Sequence, residues 1–198
     1  TLSTEQLDWA RQRMARLGVS DKADLRLQDY RDIGKTTLDA PFDAICSIEM
    51  VEAVGRGYWP EYFQTVARLL KPGGHACIQS IVIADELFER YIGSTDFIQQ
   101  YIFPGGYIPA LSEVTAAVEK EGLIVTDVEV LRLHYAQTLK AWRERFLAHR
   151  QEAVAMYDER FARMWEFYLA ASEASFRHDG LVVFQLQLAK RLDTLPMT

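Results

Sequence analysis

Two cysteines in 198 residues leave no room for a disulfide framework. Neither Cys46 nor Cys77 has metal-ligand spacing, and each sits inside an apolar run of strand length, so both are expected to be plain buried thiols. His75, His134, His149 and His178 stand singly, without the paired spacing of a metal site, and none is predicted. No apolar run reaches the roughly 18 residues that a membrane span needs, and Thr1 to Glu5 lacks the pattern of a signal peptide. These absences point to a cytoplasmic protein with no transmembrane segment. Positive charge is also short: 22 Lys and Arg stand against 28 Asp and Glu, a formal net charge of -6. Nucleic acid is therefore not an expected partner, because a phosphate backbone asks for a basic face; a local basic patch could still meet anionic lipid. A Gly-rich turn of the GxGxxG kind is missing as well.

What is present is the composition of a globular protein, 49% hydrophobic and 25% charged, with no repeat and no interior linker, so residues 1–198 read as a single domain or a large part of one. The chain is organised around FDAICSIEMVEAVG, residues 42–55. It begins as an apolar run of strand length and ends in Glu49, Glu52 and Gly55, so acidic side chains appear where the backbone leaves the sheet. In an open α/β sheet that edge is where ligands bind.

Ser3-x-x-Gln6 reads as a capping box opening a helix with Leu7, Ala10, Met14 and Leu17 on one face and Gly18 as its stop. Residues 25–28, LRLQ, alternate like a short strand, and Asp29 to Asp32 leave it as a polar loop. After the strand at 42–48, the spacing of Trp59, Tyr62, Phe63, Val66 and Leu70 predicts a helix ended by Lys71-Pro72-Gly73-Gly74, and residues 76–83 form a buried strand. Short aromatic helices are expected over 85–103, then a Pro104-Gly105-Gly106 turn. That segment is long for a plain connection and suggests a lid or pocket wall. A helix over 111–121, a strand over 123–133, two helices between 136 and 177 and a strand over 181–188 complete the chain. The second of those late helices carries Phe161, Met164, Trp165, Tyr168, Leu169 and Phe176 on one stripe, more often core than a lipid site.

This order of helices and strands is α/β. Separated blocks of the sequence carry a closer likeness: TLS with Gln6; LQDYRD at 27–32; the organising stretch; YIFPGG at 101–106; HYA at 134–136 with Thr138, Leu139 and Trp142; and residues 161–177. Together, in this order, they resemble the cyclopropane-fatty-acyl-phospholipid synthase family, S-adenosylmethionine (SAM)-dependent enzymes related to the mycolic acid cyclopropane synthases. The resemblance implies a Rossmann-like methyltransferase fold, of which residues 1–198 are the C-terminal portion. The Gly-rich first strand, turn and helix would lie before Thr1, so the sequence reads as a fragment.

By that resemblance Thr1, Leu2 and Gln6 match positions at the SAM ribose and amino-acid end, and Gln28, Asp29, Tyr30 and Arg31 match the loop around the adenine. Read without it, Gln6 simply closes a capping box and Asp29 is an ordinary loop acid. The implied reaction moves a SAM methyl group onto a cis alkene of a phospholipid acyl chain at a membrane surface, then removes a proton to close a cyclopropane ring. Localisation would be cytoplasmic, peripheral to the inner membrane. A bound bicarbonate is the implied base, with Glu52 and Tyr135 matching side chains that hold it and Ile81 matching a backbone contact. Gln79 stands where many of these synthases carry histidine; it donates an N–H but cannot become cationic. Glu49 is the rival carboxylate, outside the matched position. Glu52 alone could equally be a helix-entry acid, and Tyr135 alone would more often be structural. Phe97, Tyr101, Phe103 and Tyr107 are candidates for an acyl-tunnel wall.

Two other readings stay open. Gln79 could mark a methyltransferase of this fold with an amine acceptor or a methyl-branched product, since fold does not fix reaction. Alternatively, the chain is a non-catalytic piece whose open sheet edge pairs with another copy, giving a homodimer.

Overall fold

The structure, a computed structural model, describes residues 1–35, 41–178 and 180–191. Helix α1 (Thr4–Leu17) starts where the Gln6 amide donates to Ser3 Oγ at 3.1 Å and stops at Gly18, whose φ of 67° is the left-handed turn that glycine adopts without a Cβ penalty. The expected capping box is only half formed: Gln6 Oε1 accepts from the Thr1 hydroxyl at 2.6 Å rather than from the Ser3 amide. Of the predicted apolar face Leu7 is buried, but Leu17 is 60% exposed.

The strand expected at 25–28 does not form. A strand needs a ladder partner, and among the described residues this segment forms no ladder; Gln28 N donates to Thr1 O. Tyr30–Asp32 then closes a 3-10 turn capped by Asp29.

Strand β1 (Phe42–Ile48), helix α2 (Val51–Val54), helix α3 (Trp59–Leu69) and strand β2 (Leu70–Ile83) make one β-α-β unit. Leu70 leaves α3 in extended geometry, and Lys190 Nζ, at the far end of the chain, donates to the carbonyls of Ala67 and Leu70 at 2.7 and 2.8 Å, a cation on the negative end of the helix. Helices α4 (Asp85–Ile92), α5 (Phe97–Tyr101) and α6 (Leu111–Lys120) lead to strand β3 (Leu123–Val130). That strand ends earlier than the expected Leu133, because the Leu131 amide turns to Val183 O and a helix begins at Arg132. Three helices rather than two follow: α7 (Arg132–Ala148), α8 (Arg150–Met156) and α9 (Glu159–Arg177), the last break being made by Asp158, whose side chain caps α9. Strand β4 (Leu181–Lys190) ends the series.

The sheet order is β1-β2-β4-β3. β1 runs parallel to β2, with Ile48 beside Gln79, whereas β4 lies antiparallel to both β2 and β3, placing Gln185 on the other side of Gln79. Alternation along β2 divides two cores. Ala76, Ile78 and Val82 face α3 and α6, where Phe63, Val66, Val114, Val118, Phe184 and Leu186 pack against them. Burying one Phe of this kind contributes roughly 2–3 kcal/mol. Ile81 faces the other way, toward Ala136, Leu139, Leu169 and Phe176 of α7 and α9.

Further along that second face no helix of the described residues covers the sheet. Cys46, Cys77, Gln79 and Gln187 lie there, so the cysteines expected to be buried are exposed (Cys46) and half-buried (Cys77). They are register partners on adjacent strands. Among the described residues no helix is long and apolar enough to cross a membrane.

Candidate active site

At the end of β1 the chain must turn from strand to helix within two residues. Glu49 makes the turn with a φ of 50°, a left-handed conformation uncommon for a residue with a Cβ. Its backbone is held by β2, since Glu49 N donates to Gln79 O at 2.8 Å. Its side chain meets the same residue: Gln79 Nε2 donates to Glu49 Oε1 at 2.9 Å. Gln79 Oε1 in turn accepts from Gln185 Nε2 at 3.0 Å, so a string of polar side chains crosses three strands and ends on a carboxylate.

One turn later, α2 presents Glu52. The Ile81 amide donates to Glu52 Oε1 through a short hydrogen bond, and Glu52 Oε2 is buried with no hydrogen-bond partner among the described residues. Burial lifts this carboxyl above the ordinary glutamate range, against the opposing pull of the Ile81 hydrogen bond, and the nearby Glu49 charge adds to the rise. The Glu52 carbonyl accepts from Tyr107 N at 2.9 Å, which ties the segment after α5 to the site.

Both carboxylates line a cavity of about 260 Å³. Ile81 and Leu181 form its floor, Tyr135 and Leu139 of α7 and Tyr168 and Phe176 of α9 one wall, and Tyr91, Phe103 and Tyr107 another. The lining is largely apolar and aromatic, with Glu49, Glu52 and Asp96 as its charged members and no described lysine, arginine or histidine. Asp96 is occupied in capping α5. Tyr135 stacks edge-on against Phe176 at 4.9 Å, and burial together with the Glu49 charge and hydrogen bond pushes its hydroxyl well above the tyrosine range. It remains a protonated donor at any working pH. Tyr107 lies amid Trp59, Phe88 and Tyr91 with a buried hydroxyl that has no partner among the described residues. Among the described residues no cluster could hold a metal ion.

Glu52, Ile81 and Tyr135 meet at this cavity, and Phe103 and Tyr107 line it. Gln79 touches it through Glu49. Phe97 and Tyr101 do not: Phe97 packs on Tyr101 at 5.4 Å and on Phe167 of α9 at 4.8 Å, outside the lining, because α5 is one short turn whose aromatic face turns to α9. Tyr91, Tyr168 and Ser172 were missed. The helical spacing of Tyr168 within its stripe was the available signal, and for this residue the core reading needs amendment.

Thr1, Gln6 and Gln28 form a polar corner through the contacts given above, and Leu2 beside them is 72% exposed. Asp29 is held down to about 2 by Arg31, whose guanidinium nitrogens donate to both its oxygens at 3.0 and 2.6 Å. That guanidinium lies 6.0 Å from the rings of Tyr30 and Tyr58 alike. Tyr30 packs edge-on against Tyr62 at 5.6 Å, and Tyr62 donates to Ser47 Oγ at 2.7 Å. The loop is therefore coupled through α3 to the end of β1, two residues before Glu49.

The family model described as mycolic acid cyclopropane synthetase matches residues 1–186. A tuberculostearic acid methyltransferase from Mycobacterium tuberculosis is 43% identical over 194 residues, 96% of this chain and 44% of the relative. A cyclopropane-fatty-acyl-phospholipid synthase from Escherichia coli is 33% identical over 193 residues, 98% of this chain and 47% of the relative. Thus the chain spans about half the length of the curated relatives it matches. Among solved structures, a mycolic acid cyclopropane synthase complexed with SAH and CTAB superposes with a TM-score of 0.80 at 26% identity, covering 96% of this chain and 68% of that one.

Proposed function

The chain belongs to the mycolic acid cyclopropane synthetase family, and we propose that the whole protein transfers a methyl group from SAM to a cis alkene in a lipid acyl chain, with residues 1–198 as the later part of its methyltransferase domain. One observation carries the reading: an apolar, aromatic cavity that contains a buried carboxylate oxygen with no partner among the described residues.

The residues at the chain's start fit a SAM nucleoside. Thr1, Gln6 and Gln28 offer hydroxyl and amide groups for ribose and amino-acid polar atoms, and Tyr30 offers a ring edge beside an adenine. When bound, SAM supplies an electrophilic methyl group on a cationic sulfur. The chain's own residues supply the rest. The alkene is a weak nucleophile, so Tyr107, Phe103, Tyr168 and Phe176 must exclude water and hold the acyl chain in line for attack. Positive charge then develops on the acyl carbon. Glu52 Oε2, fixed by the Ile81 bond to its sister oxygen, is a preorganised anion aimed into that space and stabilises the cation without rearranging.

Bicarbonate, the base implied by family resemblance, does not fit these residues. Three carboxylates and no described cation line the cavity, so another anion meets repulsion. The Ile81 amide that would hold it already donates to Glu52, and Gln79 already donates to Glu49.

Ring closure on a phospholipid is the product read from the family. A second product, a methyl or methylene branch, is favoured by Gln79 and by the 43% identical relative named for tuberculostearic acid. Incubating the full-length protein with methyl-deuterated SAM and vesicles of cis-unsaturated phospholipid tests the shared step. Mass spectrometry should show acyl chains heavier by one labelled one-carbon unit; label confined to water-soluble products would contradict the proposal.

A further inference from the structure

The misfit of bicarbonate leaves the reaction without a base, and the cavity contains a candidate the family resemblance does not assign. We propose that the Glu49 carboxylate, held in place by Gln79, is the base that accepts the proton after methyl transfer, in the place a bound bicarbonate would take. This rests on the methyl-transfer reading above.

Glu49 sits where such a base is needed. It lines the same cavity as Glu52 and Tyr135. The left-handed turn at φ 50° directs it there, and such a conformation in a residue with a Cβ persists only where surrounding bonds enforce it. Here both its amide and its carboxylate are bonded to Gln79, whose own carbonyl oxygen is fixed by Gln185. This explains the glutamine at position 79. A neutral amide donor orients a carboxylate without moving its proton, whereas a histidine in its place could take that proton itself.

The two glutamates divide the work. Glu52 is the more buried and has one oxygen locked, so it suits fixed charge stabilisation. Glu49 is exposed and can return a proton to water. The step balances without another reactant. The C–S bond of the donor breaks as the methyl carbon bonds to one alkene carbon, leaving positive charge on the other. A C–H bond on the transferred methyl group then breaks, its proton forms an O–H bond on Glu49, and its electron pair closes a ring C–C bond, or a C=C bond where a hydride has first shifted from the methylated carbon to the cationic one. Protonated Glu49 then loses its proton to solvent.

The test uses full-length protein, SAM and cis-unsaturated phospholipid vesicles in carbon dioxide-free buffer, with and without added bicarbonate. The wild-type rate should stay within about twofold when bicarbonate is removed, and Glu49→Gln should lower it by about 100-fold. Glu49→Gly, which opens space and removes a negative charge, should recover activity on adding bicarbonate. A wild-type rate that collapses without bicarbonate, or Glu49→Gln at full activity, overturns the proposal. Carbon-13 NMR of labelled bicarbonate provides a readout that needs no turnover: saturable binding to wild type contradicts the proposal even where no lipid product forms, while no binding to wild type together with binding to Glu49→Gly supports it. Failure of wild type to methylate lipid under every condition counts against the methyl-transfer reading itself.

Discussion

The Ile81 amide bonds one oxygen of the Glu52 carboxylate, and the second oxygen is buried without a partner among the described residues. A single hydrogen bond from a β-strand thus orients an anion in a largely apolar, aromatic cavity, at a cost to stability that a cationic guest would relieve. Glu52→Gln keeps the shape and the acceptor for Ile81 but removes the charge. Turnover should fall by about 100- to 1000-fold, while thermal stability at pH 7 rises by about 2 °C. Turnover and melting curves on one preparation check both.

The same carboxyl sets a pH dependence. Burial raises its pKa, so its protonated form favours the folded state. The contribution to stability is full below the unfolded glutamate pKa and is lost as pH rises through the folded value. Activity runs oppositely, because catalysis needs the anion. The acid limb of kcat/KM should therefore lie above the ordinary glutamate range and should change position in the residual activity of Glu52→Gln. A wild-type limb at an ordinary glutamate value would contradict this.

Tyr135 separates packing from chemistry. Its ring is wedged against Phe176 and Trp142, which Tyr135→Phe preserves. Stability should change by less than about 1 kcal/mol, and turnover should fall by at least about tenfold through loss of the hydroxyl. With its proton retained well beyond the tyrosine range, Tyr135 should contribute no alkaline limb below about pH 10. A pH-rate profile of both proteins checks it.

Away from the site, buried Glu173 joins α7 to α9. Burial opposes its ionisation, but bonds from Arg143 at 3.0 Å and Arg177 at 3.0 Å prevail and keep the carboxyl below the glutamate range. Arg143→Leu removes one partner from a buried charge and should cost about 2 kcal/mol in chemical denaturation. Because this folded pKa is depressed, the pair's contribution is present above the unfolded glutamate pKa and fades as pH falls through the folded one. The loss in Arg143→Leu should shrink accordingly in acid.

Local signals were legible in the sequence where a single residue makes the boundary. Ser3 and Gly18 bracket α1, and the apolar run at 76–83 lies in the central strand, although that strand already begins at Leu70 and takes in the Lys71 to Gly74 stretch read as a turn. Glu52, Tyr135 and Ile81 were readable through family resemblance, not through their own spacing. What escaped depends on partners far along the chain. Residues 25–28 alternate like a strand yet have no neighbouring ladder, and the cysteine runs look buried yet lie on a face without a helix above it. The pairing of Glu49 with Gln79, 30 positions apart, is visible only once β1 and β2 are in register.

The most direct measurement is on the full-length protein with SAM and cis-unsaturated phospholipid, reading olefinic, methylene and cyclopropane proton signals in the extracted lipid by NMR. Loss of the starting alkene with new ring or branch signals in wild type, abolished in Glu52→Gln, is the predicted result. An unchanged alkene in a protein that demonstrably binds SAM would contradict the account.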